Sequence, residues 1–257
     1  MRAIWIVATN TYREIIRDRV LYGIFVFAVM LIGLSLALGE MSFAEQARIT
    51  TSFGLSAIQL SAVVLSIFLG SSLVNREIEK KTIMTLLVRP VTRIQFLLGK
   101  SLGLLFLQVT VLAALAAVLL GIYLVIGVPI EYQVFVALYG VLLEAIVLLG
   151  LTLFFSIFAS PSMVVTFSVG LFLIGHWLDS MTYFFTRKND VSSFMRGLGT
   201  VVPKIVPNLD RFNWRSAVVY SDAIAVQDVL LATVFAVGWF VVLIGLAGFI
   251  FRRRDFA

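Results

Sequence analysis

Long apolar runs separated by short polar stretches set the pattern of this chain: Val20–Leu38, Phe53–Val74, Leu102–Ile126, Val134–Phe158, Met163–Trp177 with a continuation to Phe185, and Val229–Phe251. An α-helix needs about 20 apolar residues to cross the ~30 Å hydrocarbon layer of a bilayer. The runs therefore read as six helical spans. The expected fold is an all-α integral membrane protein, with residues 1–257 forming one transmembrane domain. The fifth span is read with His176 and Asp179 at its outer end.

Before the first span, residues 1–19 carry Ile4, Trp5, Ala8, Tyr12, Ile15 and Ile16 at helical spacing, with Arg2, Thr9, Arg13 and Arg17 on the other face. This predicts an amphipathic helix lying in the membrane surface, its arginines against anionic lipid. A plain cytoplasmic lead-in helix is the simpler alternative. The segment 186–228 mixes charges with Phe194, Met195, Leu198, Ile205, Phe212 and Trp214 and is punctuated by Pro203 and Pro207. Short helices on, or dipping into, the outer leaflet are expected there, because exposed apolar patches of that kind aggregate or bind.

Composition sharpens the picture. The chain is 61% hydrophobic and 13% charged, against about a half and a quarter in soluble domains. Its net charge of +6 is spread between apolar runs rather than along a water-facing stripe, which argues against nucleic acid as a partner and for membrane lipid. With no cysteine there is no disulfide, thiolate zinc site or iron–sulfur cluster. Lys and Arg mark the cytoplasmic ends of spans. They gather before the first span, in the second loop (Arg76, Lys80, Lys81, Arg89, Arg93, Lys100) and after the last span (Arg252, Arg253, Arg254), so both termini are expected in the cytoplasm.

That second loop, residues 75–101, is the most organised polar stretch. Charged residues Arg76–Lys81 lead into the apolar turn Ile83, Met84, Leu86 and Leu87; Pro90 then interrupts, and Thr92 with Gln95 has the spacing of a capping box that starts a new helix. A helix, a break and a helix are expected. By spacing alone this is either a docking element or a solvated charge run.

The order Glu77, Glu79, Thr82, Leu86, Leu87, Pro90, Val91, Arg93, Gly99 and Lys100 resembles the loop between the second and third spans of type-2 ABC exporter permeases. The likeness extends over the whole chain and includes the stretch from Pro207 to Phe212 before the last span. One departure is Lys81, where the family often has glycine before the threonine. The resemblance implies a coupling helix seated on a separate ATPase, with Arg76, Glu77, Glu79, Lys80, Lys81, Thr82, Pro90 and Arg93 at or beside that contact. It also implies a pair of permeases, identical or related, served by two ATPase subunits that hold the ATP and magnesium. The expected location is the inner membrane of a prokaryote, and the outer segment leaves room for an extracytoplasmic accessory protein. No G-x-x-x-x-G-K-[ST] occurs, so no cofactor is expected in this chain and no catalysis by it.

Glu144 stands mid-span, where a carboxylate costs about 2.5–3.5 kcal/mol on insertion scales. It is read as either a functional group or a protonated acid bonded to a neighbouring helix, with no cation in sight within the spans. His176, the single histidine, is expected to serve as a structural hydrogen-bonding group or to pair with Asp179 one turn away. A proton-driven carrier working through Glu144 is the alternative function, although it lacks the interrupted spans of such folds. Intramembrane hydrolysis is a distant third, since H-E-x-x-H is absent. Gly33, Gly70, Ser71 and Gly150 are expected to permit close helix approach.

Overall fold

The computed structural model describes residues 2–41, 45–79, 92–187 and 192–253. Its helices are α1 (Arg2–Ile16), α2 (Arg19–Glu40), α3 (Gln46–Glu79), α4 (Arg93–Ile126), α5 (Tyr132–Ser156), α6 (Pro161–Arg187), α7 (Ser193–Ile205), α8 (Arg215–Tyr220) and α9 (Val226–Arg253), with a 3-10 turn at Asp210–Phe212. No strand occurs among the described residues. Six helices, α2 to α6 and α9, are long and apolar enough to cross a membrane. The apolar stretches of α3 and α5 are 67% and 72% buried while the other four are 22–28% buried, so α3 and α5 form the centre and the rest surround them.

Local chemistry sets the helix ends. Asp18 separates α1 from α2, its carboxylate accepting from the Val20 N–H at 3.0 Å. Thr92 and Gln95 form the capping box in full: Gln95 N–H donates to Thr92 Oγ1 at 3.3 Å, and Thr92 N–H donates to Gln95 Oε1 at 3.1 Å. α4 stops at Gly127, whose φ of 72° is a left-handed conformation that glycine adopts without penalty. We call the end of the bundle that carries α1, the start of α4 and the end of α9 the basic end, and the opposite one the far end.

α1 docks on the first turns of α4. Its buried face is Ala8, Thr11 and Ile15, whereas Trp5 is 61% exposed. The exposed apolar residues sit beside others on α4: Trp5 meets Phe106 edge-on with centroids 5.6 Å apart, and the Tyr12 hydroxyl lies 3.3 Å from Thr110 Oγ1. The close approach depends on Gly99 and Gly103, spaced as G-x-x-x-G. A Cβ on Gly99 would stand 2.9 Å from the Ile4 carbonyl oxygen, and one on Gly103 would stand 2.7 Å from that of Ala8. Of the small residues expected to matter, Gly70 lies against Thr152 and Gly150 against Phe240 and Leu243, but Gly33 faces open space because its side of α2 is turned away from the bundle.

Replacing Gly103 by Leu forces α1 off α4 and should cost about 1–3 kcal/mol. Gly121→Leu, on the same helix with nothing within 4 Å, should leave stability unchanged. Thermal unfolding of the two variants in detergent measures the contrast.

Candidate functional site: a polar cluster inside the bundle

Four elements bring polar side chains to one place. Ser56 and Gln59 are three residues apart on α3 and so share a face. Glu144 is the thirteenth residue of the 25-residue α5, His176 lies on α6, and Arg215 opens α8. At 1.5 Å per residue Glu144 stands about 18 Å from either end of α5, at the middle depth of the bundle.

Gln59 is the hub. Its amide nitrogen donates to Glu144 Oε2 at 2.7 Å and lies 3.3 Å from His176 Nε2, while its amide oxygen accepts from Arg215 Nη2 at 3.2 Å. The second Arg215 nitrogen donates to Ser56 Oγ. His176 Nδ1 is 3.2 Å from the Phe172 carbonyl, an acceptor, which places the ring hydrogen on Nδ1 and leaves Nε2 to accept the second Gln59 hydrogen. Arg215 and Glu144 are thus bridged by an amide instead of touching. Glu144 Oε1 has no hydrogen-bond partner and stands 3.5 Å from His176 Nε2, beyond bonding distance. Glu144 is 1% exposed.

Arg215 reaches this depth because the stretch Pro207–Arg215 re-enters the bundle between α5 and α6. Gly140 and Gly175 make the slot: Gly140 lies against the Phe212 carbonyl and the Trp214 ring, and a Cβ on Gly175 would stand 2.8 Å from Leu209 Cγ. Leu209 and Phe212 fill it, 0% and 1% exposed. Irregular backbone at such depth persists only where protein satisfies its polar groups. Here Leu209 N–H donates to Gly175 O at 3.1 Å, Asp210 N–H to Asn208 Oδ1 at 3.1 Å and Phe212 N–H to Leu209 O at 3.1 Å. Asn208 also donates to Asp179 Oδ1 at 2.9 Å, and the Arg211 guanidinium lies over the Phe235 ring at 5.2 Å.

The residues singled out by sequence separate accordingly. Glu144 and His176 come together. Asp179 does not join them: its carboxylate is taken by Asn208, so the pair His176–Asp179 is replaced by His176 with Gln59 and Glu144. Nor is His176 at a helix end, since α6 continues to Arg187, eleven residues beyond. Asp179 broke the apolar run in the sequence, yet it is accommodated by the re-entrant stretch. Arg76, Glu77 and Glu79 lie in the last described turn of α3, and Arg93 is the first residue of α4. Lys80, Lys81, Thr82 and Pro90 lie outside the described residues. Sequence reasoning missed Gln59, Ser56 and Arg215. Gln59 carried a usable signal, a carboxamide inside an apolar run, whereas Arg215 had none, because its segment read as lying outside the spans.

Gln59→Leu leaves Glu144 Oε2 and Arg215 without their shared partner and should destabilise the fold by about 2–3 kcal/mol. Glu144→Gln keeps an acceptor for Gln59 and turns the orphaned oxygen into a donor facing His176 Nε2. Its stability should match the parent within about 0.5 kcal/mol. Chemical denaturation of both variants in one detergent distinguishes them.

The profile of the ABC-2 family transporter proteins matches residues 5–256, covering nearly all of the chain. No curated protein matches it. With six membrane-length helices and that match over its whole length, the chain belongs to the ABC-2 transporter family, as a multi-pass membrane permease of ABC transporters.

Proposed function

We propose that this permease is the export pathway of an ATP-driven transporter whose nucleotide-hydrolysing subunit is a separate polypeptide, docked on residues 76–93. Family membership brings an ABC ATPase partner in general terms, and the chain has no phosphate-cradling loop of its own. The positive residues at the basic end support a cytoplasmic orientation of that end and of both termini, and likeness to the family supports the inner membrane of a prokaryote. The unit is two permeases and two ATPases, by likeness to the family's arrangement. ATP and magnesium belong to the partner.

The observation that carries the coupling is the continuity of α3. The helix runs without proline from Gln46 to Glu79. Arg76, Glu77 and Glu79 therefore sit on the same rod as Gln59, and Gln59 and Glu77 are about 27 Å apart along its axis. In this reading a push at the basic end reaches the polar cluster along that one helix. Arg93 begins the neighbouring rod, fixed by its capping box. Lys80, Lys81, Thr82 and Pro90 belong to the connection between the two. α1, held on α4 by Gly99 and Gly103, adds a second surface beside that contact.

The proton-driven alternative needs Glu144 to exchange its proton with water. Glu144 is 1% exposed, and the cavity beside Gln59 and Arg215 has a volume of about 10 Å3, room for one water at most. That favours a motor-driven device with a sealed polar core.

The test is to purify the permease with its ATPase, reconstitute both, and compare them with the Glu77→Gln, Glu79→Gln variant. Nucleotide-driven transport should fall at least about tenfold, equivalent to 1.4 kcal/mol of coupling, while the variant still inserts and elutes as a single species. Undiminished transport in the variant, or transport by the permease alone without hydrolysis, overturns the proposal.

A further inference from the structure

At the basic end an open groove runs between α4 and α9. It has a volume of about 430 Å3 and is lined by Ile94, Leu97 and Leu98 on one side and by Phe240, Ile244 and Phe249 among others on the other. Every lining residue is apolar or glycine. The groove exists because α9 has two glycines where side chains would fill it. Nothing lies within 4 Å of a Cβ placed on Gly245, and a Cβ on Gly248 would meet only Leu97 Cδ2, at 3.9 Å. Its inner side joins the main core, where Leu97 and Ile244 of the lining are buried with Ala247 and Phe251.

Two features identify an occupant. The first is length: from Phe240 to Phe249 the groove follows α9 for nine residues, about 13.5 Å, close to the depth of the hydrocarbon of one leaflet, about 15 Å. The second is charge. α9 ends at Arg252 and Arg253, within one turn of Phe249, and α4 begins at Arg93, next to Ile94. α4 contains no acidic residue, and the acidic residue of α9, Asp228, is at its opposite end. An apolar trough of leaflet depth under a basic rim fits a lipid whose head is negative and whose tail is slender. We propose that this groove is a binding site for one acyl chain of an anionic phospholipid of the leaflet at the basic end, with its negative head towards the basic end of α9.

A second copy of the chain is the other candidate occupant, and charge opposes it. A two-fold contact places the same patch on both sides, so two arginine pairs would meet near the axis.

The site does not depend on the ATPase partner, and its test uses the permease alone. The full-length protein, delipidated in mild detergent, is offered phosphatidylglycerol or phosphatidylcholine, and the retained lipid is counted by native mass spectrometry. The parent should retain phosphatidylglycerol at least about tenfold more tightly, equivalent to 1.4 kcal/mol. Arg252→Gln with Arg253→Gln should erase the preference, and Gly245→Leu with Gly248→Leu should lose the bound lipid altogether. The arginine substitutions leave the apolar lining of the groove unchanged, so that variant decides the matter even where the leucine variant fails to fold. Equal retention of both lipids by the parent, or an undiminished preference in the glutamine variant, overturns the proposal. So does efficient disulfide cross-linking of Gly245→Cys between two copies in a lipid bilayer, which would assign the groove to a second permease.

Discussion

A polar group in hydrocarbon has no water to turn to, and this constraint organises the bundle around α3. Ser56, Gln59, Ser61 and Ser66 of α3 each find a partner within that helix or on a neighbour. Ser66 Oγ donates to the Ala145 carbonyl of α5 at 3.1 Å, Thr152 Oγ1 of α5 is 3.2 Å from the Ser66 carbonyl, and Gln108 of α4 donates to the Ala62 carbonyl at 3.2 Å. Gln59 extends the same logic to charge. The bonds run between α3 and its neighbours, which is why α3 and α5 are buried and the other spans surround them.

Glycine decides where helices and loops come close enough for this to work. Gly70 lets Thr152 approach α3, and Gly140 with Gly175 opens the slot through which an irregular stretch carries Arg215 to the middle of the bundle. Gly99 and Gly103 tie the amphipathic α1 to α4 by the same device. The consequence is a permease with rigid rods at the basic end and a polar lock deeper in, joined by one continuous helix. In the proposed coupling, a partner that moves the end of α3 acts on that lock through this helix.

The lock has an unusual energetic character. A buried carboxyl group bridged to an arginine through an amide, with one oxygen orphaned, is not how a chain gains stability most cheaply, and apolar replacements of such groups are often neutral or better. Its geometry does fix which helices meet and in what register. The same four elements would pack in several sliding arrangements if leucines stood in these places, because apolar contacts are tolerant of register and hydrogen bonds are not.

Span number, the all-helical class and the capping box at Thr92 and Gln95 were legible from the sequence, because each depends on local periodicity or on residues three apart. The family was legible too, in the loop around Glu77 to Lys100 and in the stretch from Pro207 to Phe212, since those orders of residue types do not arise from hydropathy alone. Only the tertiary structure decided that Glu144 has an arginine in its neighbourhood and that His176 turns from Asp179 towards Gln59. Those outcomes join residues up to 159 positions apart through a re-entrant segment. Hydropathy reports what each residue prefers as solvent and carries no information about which distant side chain will replace the water it gives up.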